Sequence, residues 1–284
     1  MMSRLVLTVA LSGALLASGQ DLKSAQDLYH HTDYAGSLKI LRAIKSPDAR
    51  VYFLMGQSLF MTGDYKPATE YFQRALDLDQ KNSIYANWLG RAWGRRAETS
   101  NPFTAPSAAS HARQYFELAV SLDPSNKEAT GDLLDYYLDA PGFLGGGLDK
   151  ASALAQQIGK SDPAEGHWAE AQVAERRKQF DTVEDQLRRA VAVAPHQVGH
   201  VLALARCLAK QGRVQESEAQ FAQAEMLAPN DPFVIYARAK TYVETKRNLA
   251  QARDLLKKYL QSNLTPDNPT REEAQKLLLR ASGG

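Results

Sequence analysis

Apolar positions along most of the chain recur at three- and four-residue spacing, in blocks that come two by two with a short polar turn between them. In Ala49–Gln80, Tyr52, Met55, Gly56 and Leu59 form the first such stripe and Ala68, Phe72 and Ala75 the second, on either side of Gly63-Asp64-Tyr65. Each set falls on one face of a 3.6-residue helix, so the block predicts two helices packed face to face. The same frame returns in Val198–Pro229, with Val201, Leu204, Ala205 and Leu208, then Gly212, then Ser217, Phe221 and Ala224. Small residues where the helices face each other let them touch. A proline after the second stripe cannot continue its helix and so marks the boundary to the next pair.

Boundary marks at Gln80, Pro124, Pro163, Pro195 and Pro229 give steps of 44, 39, 32 and 34 residues, so the first two steps must hold insertions. In the first, Ala86, Leu89, Gly90 and Trp93 predict one helix and Ala112, Phe116 and Ala119 its partner, leaving about ten extra residues in or around 95–110. Pro102 and Pro106 within Thr99–Ser107 predict a loop there, or a loop preceded by an extended first helix. In the second, Ala140–Gly147 adds about five residues between a helix ending near Leu138 and one starting near Asp149. Weaker copies of the pattern lie at Ala25–Ile44, His167–Ala190 and Ile235–Leu256. After Pro269, Thr270-Arg271-Glu272-Glu273 has the capping-box pattern and predicts a final helix to about Ala281, placed to cover the open apolar end of a stack. The reading is all-α: six or seven helix pairs, a degenerate pair in 20–48, a superhelix over 49–260 with insertions near 95–110 and 140–147, and a capping helix and tail in 261–284.

The best block resembles a tetratricopeptide repeat (TPR): a large residue, Leu, a small residue and a Tyr-like residue at positions 4, 7, 8 and 11, then Ala, Phe, Ala and Pro at 20, 24, 27 and 32, with Gln80 standing at the last place. The resemblance covers roughly Leu22–Leu260 and implies an α-solenoid that binds a protein or peptide rather than an enzyme. The Trp88-Leu89-Gly90-Arg91-Ala92 helix, with its insertion before Tyr115-Phe116, is also similar to regulator-of-microtubule-dynamics proteins. In the family, positions 2, 5, 9, 12 and 13 of each first helix meet the ligand on a concave face. Carried over place by place, the resemblance implies a groove of Phe53, Gln57, Phe60 and Met61; Asn87, Arg91 and Arg95; Asp135 and Asp139; Trp168, Gln172 and Arg176; Leu202, Arg206 and Lys210; and Phe233, Tyr236 and Lys240. Aromatic anchors alternate there with charges, which suits an extended peptide or a partner helix. Alternatively, some of these rings pack against the first insertion. Phe53 and Gln57 stand where the family's chaperone-tail binders carry a Lys and Asn clamp.

The first twenty residues do not share the pattern. A positively charged start, Met1–Arg4, precedes twelve largely apolar residues, Leu5–Leu16, and Ala17-Ser18-Gly19 places small residues before a cut at Gln20. Such a run is shorter than the about 20 residues that cross a bilayer, so it reads as a secretory leader (1–19) and predicts a periplasmic or secreted protein. An uncleaved first helix is the alternative.

Charge adds little: 34 Lys plus Arg against 32 Asp plus Glu leaves a formal +2, which gives no electrostatic case for nucleic acid. The basic spots at Arg91, Arg95, Arg96 and Arg176-Arg177-Lys178 are interleaved with Glu98, Glu170 and Glu175. Cys207, the single cysteine, excludes an internal disulfide and a multi-cysteine zinc site, and its place among Ala203, Ala205 and Leu208 reads as packing. His196 and His200 are four apart but have no carboxylate or cysteine spaced to complete a metal set, and the adjacent His30 and His31 point to different sides of a helix. Gly145-Gly146-Gly147 before a helix invites a phosphate-loop reading, yet Asp149-Lys150-Ala151 stands where Lys-Ser/Thr would be needed, and flexible turn residues explain the glycines. No catalytic residue, cofactor or metal is therefore expected. Two other functions stay open: a ligand pocket or enzyme site built by 100–110 and 142–147 beside Trp93 and Arg95, and a self-assembly module.

Overall fold

A computed structural model describes residues 19–283, so the run Leu5–Leu16 and the small residues Ala17 and Ser18 lie outside the described residues. Among the described residues every regular element is helical. The chain forms two compact units that divide within one helix, between Leu133 and Leu134.

The first unit holds α1 (residues 19–30), α2 (Tyr34–Ala43), α3 (Ala49–Met61), α4 (Tyr65–Leu78), α5 (Ser83–Thr99), α6 (Ala105–Leu122) and the first half of α7 (Lys127–Asp139). The second holds the rest of α7, a 3-10 turn at Gly142–Leu144, and α8 (Leu148–Ser161), α9 (Pro163–Arg176), α10 (Phe180–Val193), α11 (Val198–Lys210), α12 (Val214–Leu227), α13 (Pro232–Glu244), α14 (Leu249–Gln261) and α15 (Arg271–Ala281). Consecutive helices pack as pairs, α3 with α4, α5 with α6, α9 with α10, α11 with α12 and α13 with α14. With α1–α2 and α7–α8, paired by their order in the sequence, this makes seven successive pairs and one closing helix among the described residues.

In the α3–α4 and α5–α6 pairs, the small residue of the first helix receives a phenylalanine of the second. A Cβ at Gly56 would lie 2.6 Å from the Phe72 ring, and one at Gly90 would lie 2.6 Å from the Phe116 ring. Phe72 is fully buried and Phe116 nearly so, so the glycines are where each pair closes.

Five of the turns inside pairs are one structure repeated. Gly63 N–H donates to the Phe60 carbonyl and Asp64 N–H to the Leu59 carbonyl; the same two bonds recur at Thr32 and Asp33, Lys178 and Gln179, Gly212 and Arg213, and Lys246 and Arg247. The first residue of each is left-handed, with φ between 54° and 84°, the usual end of a helix closed by a C-terminal glycine. Only Gly63 and Gly212 adopt it without a side-chain penalty. Lys178→Gly is therefore expected to raise stability by about 0.5–1 kcal/mol, read as a higher urea midpoint at unchanged slope. A lowered midpoint would show that the lysine side chain contributes more than its backbone costs.

The two remaining pairs carry the insertions, and both insertions sit at this turn. The first is mostly helical: α5 runs on to Thr99 and α6 already begins at Ala105. The loop predicted over 99–107 is thus confined to 100–104, because Pro106 lies in the first turn of α6, where its missing N–H costs nothing. Asn101 Oδ1 accepts from Phe103 N at 3.0 Å and Thr104 N at 3.2 Å, which starts that turn.

Between pairs, Asn82, Asn126, Gln197 and Asp231 each donate their N–H to the carbonyl three residues back, closing four-residue turns. Pro124, Pro195 and Pro229 take the second place of three of them, where a fixed φ favours the turn. The α8–α9 boundary is shorter: Asp162 alone ends one helix and caps the next, accepting from Glu165 N at 3.1 Å. That compression accounts for the step of 32 residues.

At the end of the chain Thr270 and Glu273 form the reciprocal capping box, with Thr270 N donating to Glu273 Oε2 at 2.7 Å and Glu273 N to Thr270 Oγ1 at 3.2 Å. Ala274, Leu277 and Ala281 of α15 close over Ile235, Tyr242, Leu256 and Tyr259.

Candidate functional site

The groove positions inferred from the sequence fall into both units, and the two sets have different surroundings. In the first unit they gather on Trp88 and on one carboxylate. The rings of Phe53, Phe60 and Phe72 lie 6.0, 5.5 and 5.7 Å from that of Trp88, and the Arg91 guanidinium sits 5.1 Å above it. Arg91 pairs with Asp132 and, at 3.1 Å, with Glu128, and these acids keep it charged against the cost of burial. Asn87 is only 1% exposed and donates from Nδ2 to Asp132 at 2.7 Å, while its Oδ1 has no hydrogen-bond partner. Arg95 donates to the Tyr65 hydroxyl at 3.0 Å and pairs with Glu98. Gln57 and Met61 are half-buried nearby on α3. These side chains mostly satisfy one another, and Asn87 lies below the surface.

In the second unit the corresponding positions open onto space. The first helices α9, α11 and α13 line a cleft of about 390 Å³. Trp168 and Gln172 come from α9, Leu202 and Arg206 from α11, and Phe233, Tyr236 and Lys240 from α13. The helical spacing carried by the sequence places them there: residues three and four apart share a face. Phe233, just inside the start of α13, is 45% exposed. Tyr236 packs on Tyr259 at 5.1 Å, and burial, followed by the charges of Glu273 and Glu244, pushes its hydroxyl pKa up.

Sequence reasoning missed the rest of the lining, including its ionisable members Glu165, His200 and Glu244. His200 is 4% exposed, with Nε2 3.8 Å from Glu165 Oε2. Its place beside Val201 on α11 was legible; its carboxylate neighbour, 35 residues away on α9, was not. Lys240 lies 3.9 Å from Glu244. Arg206 forms no ion pair within 4 Å among the described residues.

Other predicted groove residues turn to one another. Arg176 pairs with Asp139, and Lys210 Nζ lies 2.7 Å from Glu175. Burial raises the Glu175 pKa, but Lys210, Arg206 and Arg176 outweigh it and hold the carboxyl below its usual range. Cys207 is half-buried, and burial pushes its thiol pKa up, against a nucleophilic role.

The glycine-rich insertion spends its amides on itself. Gly145 N–H donates to Gly142, Gly146 N–H to Pro141 and Gly147 N–H to Tyr137, while Tyr136 Oη donates to the Leu144 carbonyl at 2.9 Å. A Cβ at Gly146 would lie 1.9 Å from the Ala140 carbonyl oxygen, so close backbone approach explains that glycine. The two insertions belong to different units. Trp93 stacks on His111 at 4.5 Å with Arg96 4.0 Å above it, inside the first unit. Among the described residues no three His, Cys, Asp or Glu side chains gather as a metal-binding group, and no helix is long and apolar enough to cross a membrane.

Successive helix pairs, five of them joined by one repeated turn and three of them giving their first helices to one cleft of the second unit, define a helix-pair repeat protein. Residues 49–82 and 168–232 each match the tetratricopeptide repeat family, so the chain carries tetratricopeptide repeats within an all-α fold of helix pairs. A tetratricopeptide repeat protein from Parabacteroides merdae is similar over 94% of this chain and 99% of its own, with 13% identity and a TM-score of 0.58. A thermophilic TPR protein of Thermus thermophilus is similar over 69% of this chain and 99% of its own, with 21% identity and a TM-score of 0.50. At these identities the likeness concerns the fold. No curated protein matches the sequence.

Proposed function

We propose that this protein is a binding scaffold, without catalytic activity of its own, that takes up a segment of a partner protein in the cleft between α9, α11 and α13. The observation that carries the reading is that Trp168, Gln172, Arg206, Phe233, Tyr236 and Lys240, chosen from repeat positions alone, line a single cleft. Aromatic anchors and an arginine with no ion pair within 4 Å are among the side chains that dominate binding at protein interfaces. The equivalent positions of the first unit support its packing instead, so the second unit is the binding half. The basic start and apolar run of the first nineteen residues support a place outside the cytoplasm.

The test is photo-crosslinking in cells from position 233 in the cleft and, as a control, from position 257 on the exposed face of α14. A discrete partner segment is expected from position 233, lost in Arg206→Glu, and absent from position 257. Identical products from both positions, or none from either, would sink the reading.

A further inference from the structure

The cleft does not end at α11. A second cavity, of about 360 Å³, lies farther along the same helix and shares Ala203 and Arg206 with the first. Its floor is apolar: Val183 and Leu187 of α10 are 6% and 5% exposed. Cys207 faces it from α11, and Phe180, 60% exposed, forms its lip. An exposed aromatic over an aliphatic floor suits an aliphatic side chain of leucine size.

Charge fixes what lies between the two cavities. They hold three Lys or Arg side chains, and two of these already face acids, Lys210 at 2.7 Å from Glu175 and Lys240 at 3.9 Å from Glu244. Arg206, half-buried and common to both cavities, has no acid within 4 Å among the described residues, and Glu175, whose charge it feels at longer range, is already held by Lys210. A guanidinium held between apolar walls favours a ligand carboxylate, which it can meet with two parallel hydrogen bonds. Glu165 and Glu244, which line the first cleft, disfavour a second acid there.

The spacing follows from helix geometry. The residues that α11 gives to the two cavities are centred about five positions apart, roughly 8 Å at 1.5 Å per residue. The first cavity extends towards α13 and the second towards α10, so the outer ends of the two lie farther apart than this axial offset. In an extended segment, side chains at i, i+2 and i+4 point to one side and span about 13 Å.

We infer that the two cavities together read an extended partner segment of the form aliphatic-x-acidic-x-aromatic, with the aliphatic side chain on Val183 and Leu187, the carboxylate on Arg206 and the aromatic ring between Trp168, Phe233 and Tyr236. The inference rests on the reading of the first cleft as a binding site, and each cavity carries its own reporter. Cys207 is the only cysteine of the chain, so its alkylation by N-ethylmaleimide at pH 8.5 reports the second cavity. Of the three tryptophans only Trp168 lines the first, so the part of the emission change that is absent in Trp168→Phe reports that cavity.

The probe is the blocked peptide acetyl-Gly-Leu-Ser-Asp-Ser-Phe-Gly-amide, added to the whole protein. At saturation it is expected to shift Trp168 emission and to slow Cys207 alkylation at least five-fold. Changing its Asp to Asn should weaken binding at least ten-fold to the wild type and less than two-fold to Arg206→Gln. Changing its Leu to Ala should weaken binding at least five-fold and abolish the protection of Cys207. A Trp168 response with Cys207 unprotected would overturn the two-cavity proposal and leave the first cleft standing as a site. Protection without preference for Asp over Asn would also overturn it. Silence at both reporters would sink the motif, while crosslinking from position 233 decides separately whether the first cleft binds a partner.

Discussion

Gly166→Ala is expected to cost about 3 kcal/mol of stability, although alanine is the better helix former by up to about 1 kcal/mol. The site is the compressed boundary between α8 and α9, where Asp162 is the whole linker. With no turn to separate them, the two helices meet backbone to backbone. A Cβ at Gly166 would lie 2.3 Å from Gly159 Cα and 2.8 Å from Gly159 N. Main-chain atoms cannot swing aside as a side-chain tip can, so α9 must move as a body, disturbing Ala169, Ala171 and Val173, all nearly fully buried. The reverse substitution is the internal control. A Cβ at Gly159 would meet Gly166 Cα at 3.6 Å, an ordinary contact, so Gly159→Ala should be neutral or stabilising. Urea unfolding of both variants decides the matter. Equal midpoints for the two would show that α8 and α9 are not in contact through these glycines.

That boundary also shows how far the sequence could be read. The short step from Pro163 to Pro195 was visible as a spacing, and so were the pairs, because each repeats a local pattern of apolar positions. The capping box at Thr270 was legible for the same reason: its partners are three residues apart. The first insertion misled because Pro106, read as a breaker, serves at a helix start. The turns at Lys178 and Lys246 carry no glycine to announce them, yet the helices on either side impose the left-handed residue. The groove was legible by position and only half legible in its surroundings. Nothing near Arg91 in sequence tells that Asp132, 41 residues on, would pair with it, and nothing near Arg206 tells that no acid would come within ion-pair distance. Partner choice between side chains far apart in the chain decides which repeat position remains available to a ligand, and repeat spacing does not carry that information. The cavity at Cys207 escaped for a related reason, since Phe180 holds a repeat position in the sequence but stands at the lip of the cavity.

Tyr259→Ala is expected to lower stability by about 3–5 kcal/mol, the range for removing a buried aromatic. Tyr259 is fully buried and joins three parts of the end of the chain. Its ring lies in the cluster of α13, α14 and α15, and its hydroxyl donates to the Pro269 carbonyl, tying down the segment that leads into α15. Tyr259→Phe separates these roles. Losing only the hydroxyl leaves the Pro269 acceptor unpaired and should cost about 1–2 kcal/mol near neutral pH. The same hydroxyl predicts a pH dependence. Burial, helped by the charge of Glu273, pushes its pKa up to about 12, whereas an unfolded tyrosine ionises near 10. Between those values the unfolded chain has lost a proton that the folded one retains. The contribution is therefore complete below about pH 10 and declines as the pH rises towards 12. Tyr85, Tyr115, Tyr236 and Tyr242 are also shifted upward, mainly by burial, so the wild type should lose stability on this limb through several groups at once. In Tyr259→Phe the decline should be shallower by one ionising group, and the gap between the two proteins should narrow from pH 9 to pH 11.5. Guanidinium unfolding at those two pH values measures it. A gap that stays constant would mean that the Tyr259 hydroxyl ionises alike in the folded and unfolded chain, and that its bond to Pro269 does not hold the end of the stack closed.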